Sequence, residues 1–285
     1  MPGPWAWRNS MSKVRAIVLT GFGINCEEEM SAAYRLAGAH ADVVHLNDVL
    51  LEKVSIHDYQ ILNFPGGFSF GDDLGSGKVL ANKLRYKTTG TNRLFFDEVE
   101  RFLGDGKFVM GVCNGFQALV KMGLLPNVTT NAGQDATLTT NRSGKFEDRW
   151  VTCRTFGNDK TPFLTGIDTI DLPVRHGEGR LILASDEVRE LVEAQGLNCL
   201  TYVDASNQST AEYPLNPNGS DFNCAGLTDK TGQILGLMPH PEAYLSLYNH
   251  PNWPLRKRNN PDISEDGEGL KLFTNTDEHI ARTEL

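Results

Sequence analysis

Phe108-Val109-Met110-Gly111-Val112-Cys113-Asn114-Gly115-Phe116-Gln117 is the stretch that decides the fold. It is an apolar, strand-like run up to Val112. It breaks at a thiol between Gly111 and Gly115, then resumes at helical spacing through Ala118, Leu119, Met122 and Leu124. Gly-x-Cys-x-Gly at a strand-to-helix junction is the thiol form of a nucleophile elbow. The sharp turn forces the central residue into a strained conformation and lifts its side chain clear of the sheet. The glycines remove the Cβ atoms that would collide there. The following helix points the positive end of its dipole at the sulfur. A cysteine in an apolar run is ordinarily a small buried hydrophobe; the flanking glycines and the partners further along favour a nucleophile.

Outward from the elbow, the rhythm is strand, helix, strand. Val14 to Leu19 is a β-branched strand, and Asn25 offers an N-cap to a helix with Glu27, Glu28 and Glu29 in its first turn. Met30, Ala33, Tyr34 and Ala37 fall on one face, and Gly38 stops the helix before a strand over Asp42 to Leu46. Asn92 to Leu103 reads as an amphipathic helix closed by Gly104-Asp105-Gly106. Such units build a parallel sheet with right-handed crossovers. After Pro126 the strands turn short and polar-alternating (Thr137 to Thr140, Arg149 to Phe156, Leu172 to Arg175), an antiparallel extension before Leu235 to Met238 returns to the main sheet. Asp186 to Gln195 is a surface helix, Asn249 to Gly269 is loop-like, and a closing helix starts near Leu270. The expected fold is α/β: a flavodoxin-like three-layer arrangement with a mostly parallel central sheet and an antiparallel β extension. Residues 1–12 read as a disordered extension, and residues 13–285 as one domain with an extended tail from about 245 to 285.

Two further segments supply chemistry. Ile234-Leu235-Gly236-Leu237-Met238-Pro239-His240-Pro241-Glu242 is a buried strand ending in His-Pro-Glu. Pro241 keeps His240 out of helix, and side chains two apart in extended chain share a side, so Glu242 can orient one ring nitrogen while the other faces a nucleophile. Cys113, His240 and Glu242 thus form a nucleophile, base and orienter. A strand over Asp58 to Phe64 runs into Pro65-Gly66-Gly67-Phe68-Ser69-Phe70-Gly71-Asp72. Beside an elbow, the Gly67 amide and the amide of Asn114 can serve as oxyanion donors.

These elements, in this order and spacing, resemble the class I (triad) glutamine amidotransferases. Leu19 to Glu27, Pro65 to Asp72, Gly111 to Gln117, Val174-Arg175-His176-Gly177-Glu178-Gly179-Arg180, Tyr213 to Ser220 and Met238 to Glu242 resemble the PurQ-type glutaminase subunits of phosphoribosylformylglycinamidine synthase, from about residue 13 to 245. The resemblance implies hydrolysis of L-glutamine through a thioester on Cys113, with ammonia passed to a PurL-type synthetase subunit during purine synthesis. It further implies a small PurS-type subunit. No cofactor is implied on this chain; ATP and magnesium belong to the synthetase. It also places Gly66, Phe68, Ser69, Gln117, His176 and Gly177 in the glutamine pocket. Leu74-Gly75-Ser76-Gly77-Lys78 looks nearer the glutaminase domain of the fused, single-chain synthases, and the tail is longer than in shorter bacterial members. His176 is a tempting second base, but only Glu178 lies nearby to orient it, so it reads as a binding-loop residue.

Composition bounds the alternatives. The net charge of −9, from 27 basic and 36 acidic residues, argues against a nucleic-acid surface. Five scattered cysteines without a C-x-x-C pair suggest neither a metal site nor a disulfide framework, and fit a reducing cytoplasm. No apolar run is long enough to span a membrane. Gly21-Phe22-Gly23-Ile24-Asn25-Cys26 nearly spells a dinucleotide fingerprint but has Cys26 where the third glycine belongs, so a flavodoxin-like nucleotide-binding module is the runner-up. Gly75-Ser76-Gly77-Lys78-Val79 fails as a phosphate loop, with Asp72 at the first glycine and Val79 at the magnesium-binding hydroxyl. A free-standing cysteine hydrolase and a non-catalytic subunit complete the alternatives.

Overall fold

The computed structural model describes residues 14–129, 133–156, 160–283 and 285; the expected extension over residues 1–12 lies outside them. The first half alternates β1 (Arg15–Thr20), α1 (Glu27–Ala37), β2 (His40–His45), α2 (Leu46–Leu50) and β3 (Ile61–Phe64). α3 (Lys78–Tyr86), α4 (Phe95–Gly104), β4 (Phe108–Val112) and α5 (Asn114–Met122) follow. Then come β5 (Ala136–Thr139), β6 (Glu147–Thr155), β7 (Thr169–His176), β8 (Arg180–Leu183), α6 (Asp186–Ala194) and β9 (Leu200–Tyr202). β10 (Cys224–Thr228), β11 (Ile234–Leu237), α7 (Trp253–Asn259) and α8 (Leu270–Thr283) complete the chain.

One sheet carries nine strands in the order β2-β1-β3-β4-β11-β10-β9-β6-β7. Pairing is parallel from β2 to β11 and antiparallel from β11 to β7. The antiparallel extension is therefore the second half of the same sheet, with β5 and β8 paired separately beside it. β3 and β4 are buried at every position, as strands covered on both faces must be. α1 packs on α8, and α3 packs on α4 and α5. Because β1 connects outward to β2 while β3, β4 and β11 lie on its other side, strand order reverses at β1. The crevice at the carboxyl ends of such strands is where this topology binds ligands. The loops after β1, β3, β4 and β11 all end there.

Gly38 caps α1 in the left-handed conformation expected of it, its N–H reaching back to Tyr34 and Arg35. Three local expectations are corrected. Cys26, not Asn25, is the N-cap of α1, and it makes no side-chain cap bond. The Asn25 and Cys26 amides instead both donate to the Gly66 carbonyl, which ties the β1 loop to the β3 loop. α4 begins at Phe95 rather than Asn92, because residues 88–94 close a small turn through the Thr88–Leu94 bridge. Within the segment expected as loop, Trp253–Asn259 is helical, with Pro254 in its first turn, where a missing N–H costs nothing. Arg256 pins it through ion pairs to Asp171 and Glu268.

Two glycines hold the elbow. A Cβ on Gly115 would collide with the Phe64 backbone carbonyl, and one on Gly111 would stand 2.5 Å from Leu119 and 2.9 Å from the Gly115 backbone. The helix can approach the sheet this closely only without those carbons. Gly115→Ala should therefore lower unfolding stability by about 1–3 kcal/mol or more. Gly104→Ala, whose Cβ meets nothing within 4 Å, should be close to neutral. Urea unfolding curves of the two variants check this; equal losses would contradict it.

Candidate active site

Cys113 sits between β4 and α5 with φ 51° and ψ −105°, a left-handed value that a non-glycine residue adopts only under constraint. Its sulfur, on a residue 6 % exposed, approaches the Arg175 carbonyl at 3.6 Å. His240 and Glu242 follow β11, whose register against β4 sets Leu237 beside Val112. Their side chains meet as expected, but through a 3-10 turn over Pro241–Ala243 with His240 at its N-cap, not through extended-chain alternation: His240 Nδ1–H donates to Glu242 Oε1 at 2.6 Å, both groups fully buried. The Cys113 sulfur also acts electrostatically on the imidazole. Burial pulls the His240 pKa down, but the Glu242 charge and then the Cys113 sulfur outweigh it, so the ring is held well above its ordinary value. Nε2, on the side of the ring away from Glu242, has no hydrogen-bond partner, and neither has Glu242 Oε2.

Gly66 lies against all of this. A Cβ there would stand 2.8 Å from His240 Cε1, 3.1 Å from Cys26 Sγ and 3.5 Å from Cys113 Cβ. Gly67, at φ 143°, is folded against Gly23 and Asn25, and Phe68 N–H donates to the Gly23 carbonyl at 2.6 Å. Asn114 opens α5, so its backbone N–H has no acceptor within the helix. Its side chain organises the β3 loop: Oδ1 accepts from Ser69 N–H at 3.1 Å, and Nδ2 donates to Asp72 and to Gln117 Oε1. Gln117 Nε2 in turn donates to the Glu178 carbonyl at 2.6 Å. Burial raises the Asp72 carboxyl pKa, with bonds from Gly77, Ser76 and Asn114 pulling the other way.

His176 ends β7, and Gly177 follows it into a loop built around Asn141. Asn141 Oδ1 accepts from Gly179 N–H at 2.8 Å, so His176 Nδ1, 3.0 Å from the same oxygen, carries the proton. The Gly177 carbonyl accepts from Asn141 N–H. Burial, and secondly the charge of His240, push the His176 pKa down to about 3. No carboxylate pairs with this ring among the described residues, and Glu178 is occupied by Ser76 N–H at 3.1 Å. Phe68 alone of the expected pocket residues turns outward, half exposed against Phe146.

Several neighbours were not signalled by local sequence. Cys26 reaches His240 from the β1 loop, because its backbone is bound to Gly66. Burial pushes its thiol pKa up, with the neighbouring His240 ring pulling the other way. Arg175 Nη2 bonds Glu29 at 2.9 Å and lies 3.2 Å from His240 Nδ1. That nitrogen already donates to Glu242, so the guanidinium is a charge neighbour and not its partner. Asn141 has no motif of its own, and only its place opposite His176 reveals it.

The neutral His176 ring makes a pH prediction. The ordinary histidine value is about 6.5, and the folded value is about 3. Between the two the unfolded chain binds a proton that the folded chain does not, so stability falls as pH drops through this window. The slope approaches about 1.4 kcal/mol per pH unit. His176→Asn should flatten the acid limb of a urea-midpoint profile by up to one proton; an unchanged limb would contradict a buried neutral ring.

Residues 13–280 match the CobB/CobQ-like glutamine amidotransferase domain. The chain is 41% identical over 265 residues to "Phosphoribosylformylglycinamidine synthase subunit PurQ" of Dehalococcoides mccartyi, covering 93% of this chain and 97% of that protein. It is 40% identical over 273 residues to the subunit of the same name from Methanococcus maripaludis, again covering 93% and 97%. Among solved structures it is similar to a chain of PurLQS from Thermotoga maritima, with a TM-score of 0.67 and 29% identity over 94% of this chain and 99% of that one. With a family model spanning most of its length and relatives of this identity, the chain belongs to the glutamine amidotransferases, and within them to the PurQ subunits of phosphoribosylformylglycinamidine synthase.

Proposed function

We propose that this chain is the glutaminase subunit of phosphoribosylformylglycinamidine synthase, releasing ammonia from L-glutamine with Cys113 as nucleophile, His240 as base and acid, and Glu242 as orienter. The observation that carries the reading is the 2.6 Å bond from His240 to Glu242, on a ring that is also coupled to the elbow thiol. Glu242 fixes the proton on Nδ1 and leaves Nε2 to exchange protons with sulfur and substrate. Cys113 sulfur attacks the side-chain carboxamide carbon, and the Gly67 and Asn114 amides receive the developing oxyanion. The C–N bond breaks as His240 protonates the departing ammonia, leaving a glutamyl thioester. Water, losing a proton to His240, then opens the thioester to glutamate and free thiol.

Gly66, Phe68, Ser69, Gln117, His176 and Gly177 line the glutamine pocket in this reading. Gly66 is needed because any side chain would fill the space between nucleophile and base. Gln117 and the unpartnered His176 Nε2 offer fixed polar groups to an amino acid. The ammonia goes to a PurL-type synthetase subunit, which binds the ATP and magnesium, and a PurS-type subunit completes the assembly. Residues 13–285 act as one domain. Five free cysteines favour a reducing cytoplasm, and no described helix is long and apolar enough to cross a membrane.

The test uses the assembled complex and two nitrogen sources. Cys113→Ser should cut glutamine-dependent synthesis by more than about a thousandfold, the scale on which triad knock-outs act, while synthesis from ammonium salts survives. Loss of both would make the residue structural and refute the assignment. His240→Ala should approach the same loss, and Glu242→Gln should be milder, since it retains a hydrogen-bonding group beside the ring.

A further inference from the structure

Cys26 adds a second sulfur to a pocket whose chemistry asks for one. Its Sγ, a ring nitrogen of His240 and a carboxylate oxygen of Glu242 all lie within 4.8 Å of one another, and all three residues are buried. His240 Nε2 and Glu242 Oε2, each on a residue no more than 2 % exposed, have no hydrogen-bond partner. Cys113 flanks the same ring, and its Cβ and the Cys26 sulfur stand 3.5 and 3.1 Å from the point a Gly66 Cβ would occupy. Two sulfurs and an imidazole are the donor set that zinc prefers. Zinc bonds of about 2.0–2.3 Å place neighbouring ligands roughly 3–4 Å apart, so the Cys26 sulfur and the His240 ring nitrogen need to approach by only about 1 Å.

We propose that Cys26, His240 and Cys113 form a binding site for a thiophilic divalent cation, Zn²⁺ foremost. His240 binds through Nε2, while Nδ1–H stays on Glu242, the carboxylate–histidine–metal arrangement that fixes the ring and strengthens it as a ligand. Two thiol protons leave to solvent as two sulfur–zinc bonds form, and the two thiolates neutralise the ion. The Arg175 guanidinium, 4.0 Å from Cys26 Sγ, already sets positive charge beside that sulfur. Binding ties up nucleophile and base together, so the metal inhibits. That consequence rests on the function proposed above; the binding itself does not.

The experiment titrates Zn²⁺ into the full-length chain against a chromophoric chelator and repeats the titration with Co²⁺, whose thiolate complexes show a near-ultraviolet charge-transfer band. One equivalent of Zn²⁺ should bind with release of protons, and the Co²⁺ form should show the band. Cys26→Ser, with its fold checked by circular dichroism, should weaken binding at least about tenfold and diminish the band. An unchanged affinity in Cys26→Ser would overturn the site. So would the lack of a charge-transfer band in the wild-type chain, a result that needs no variant to fold. Zinc binding through Cys26 alongside an assembled complex that releases no ammonia from glutamine would uphold the site while refuting the proposed function.

Discussion

The closeness with which α5 lies on β3 and β4 is the constraint from which the rest follows. Gly115 rests against the Phe64 carbonyl, and Gly111 packs under Leu119. The chain leaving β4 has no room to curve gently into a helix and must turn at one residue. Cys113 absorbs that turn at φ 51°, at a cost of about 1–3 kcal/mol. The surrounding fold over-determines the strain, because β4 is paired on both sides and buried at every position. In return the sulfur is presented at the carboxyl end of the central strands with almost no conformational freedom left.

The same sheet delivers the other groups. β11 lies parallel to β4 in a register that brings Leu237 to Val112, so the His-Pro-Glu turn emerges beside the elbow. β3 delivers Gly66 and Gly67 from the opposite flank, and β1 delivers Cys26 through the two amides bound to Gly66. Fixed placement on four adjacent strands replaces flexible loops. That is how a buried histidine–carboxylate pair is kept aligned without water to screen or compete with it.

Much of this was legible because it is local. The glycines around Cys113, the two-residue spacing of His240 and Glu242 across Pro241 and the Gly38 stop each express a backbone rule within a few residues, although the Pro241 segment closes as a 3-10 turn and not as extended chain. The approach of Cys26 to His240 depends on hydrogen bonds between two loops 40 residues apart, which no local pattern encodes. Arg175 and Asn141 are hidden for the same reason: each acquires its surroundings through β6–β7 pairing and the loop after β5. α4 starts later than the spacing suggests because Asn92, Arg93 and Leu94, compatible with a helix by propensity, are claimed by a turn with Thr88 and Thr89. The short helix at Trp253 was missed because its stability comes from the Arg256 ion pairs to distant Asp171 and Glu268.

The account turns on a covalent bond to one sulfur. Mass spectrometry of the assembled complex, quenched in acid while turning over glutamine, examines that bond directly. A glutamyl adduct carried on the peptide containing Cys113, and lost on treatment with hydroxylamine, is the predicted result. Turnover of glutamine with that peptide unmodified under every quench time, or with the adduct on a different cysteine, would contradict it.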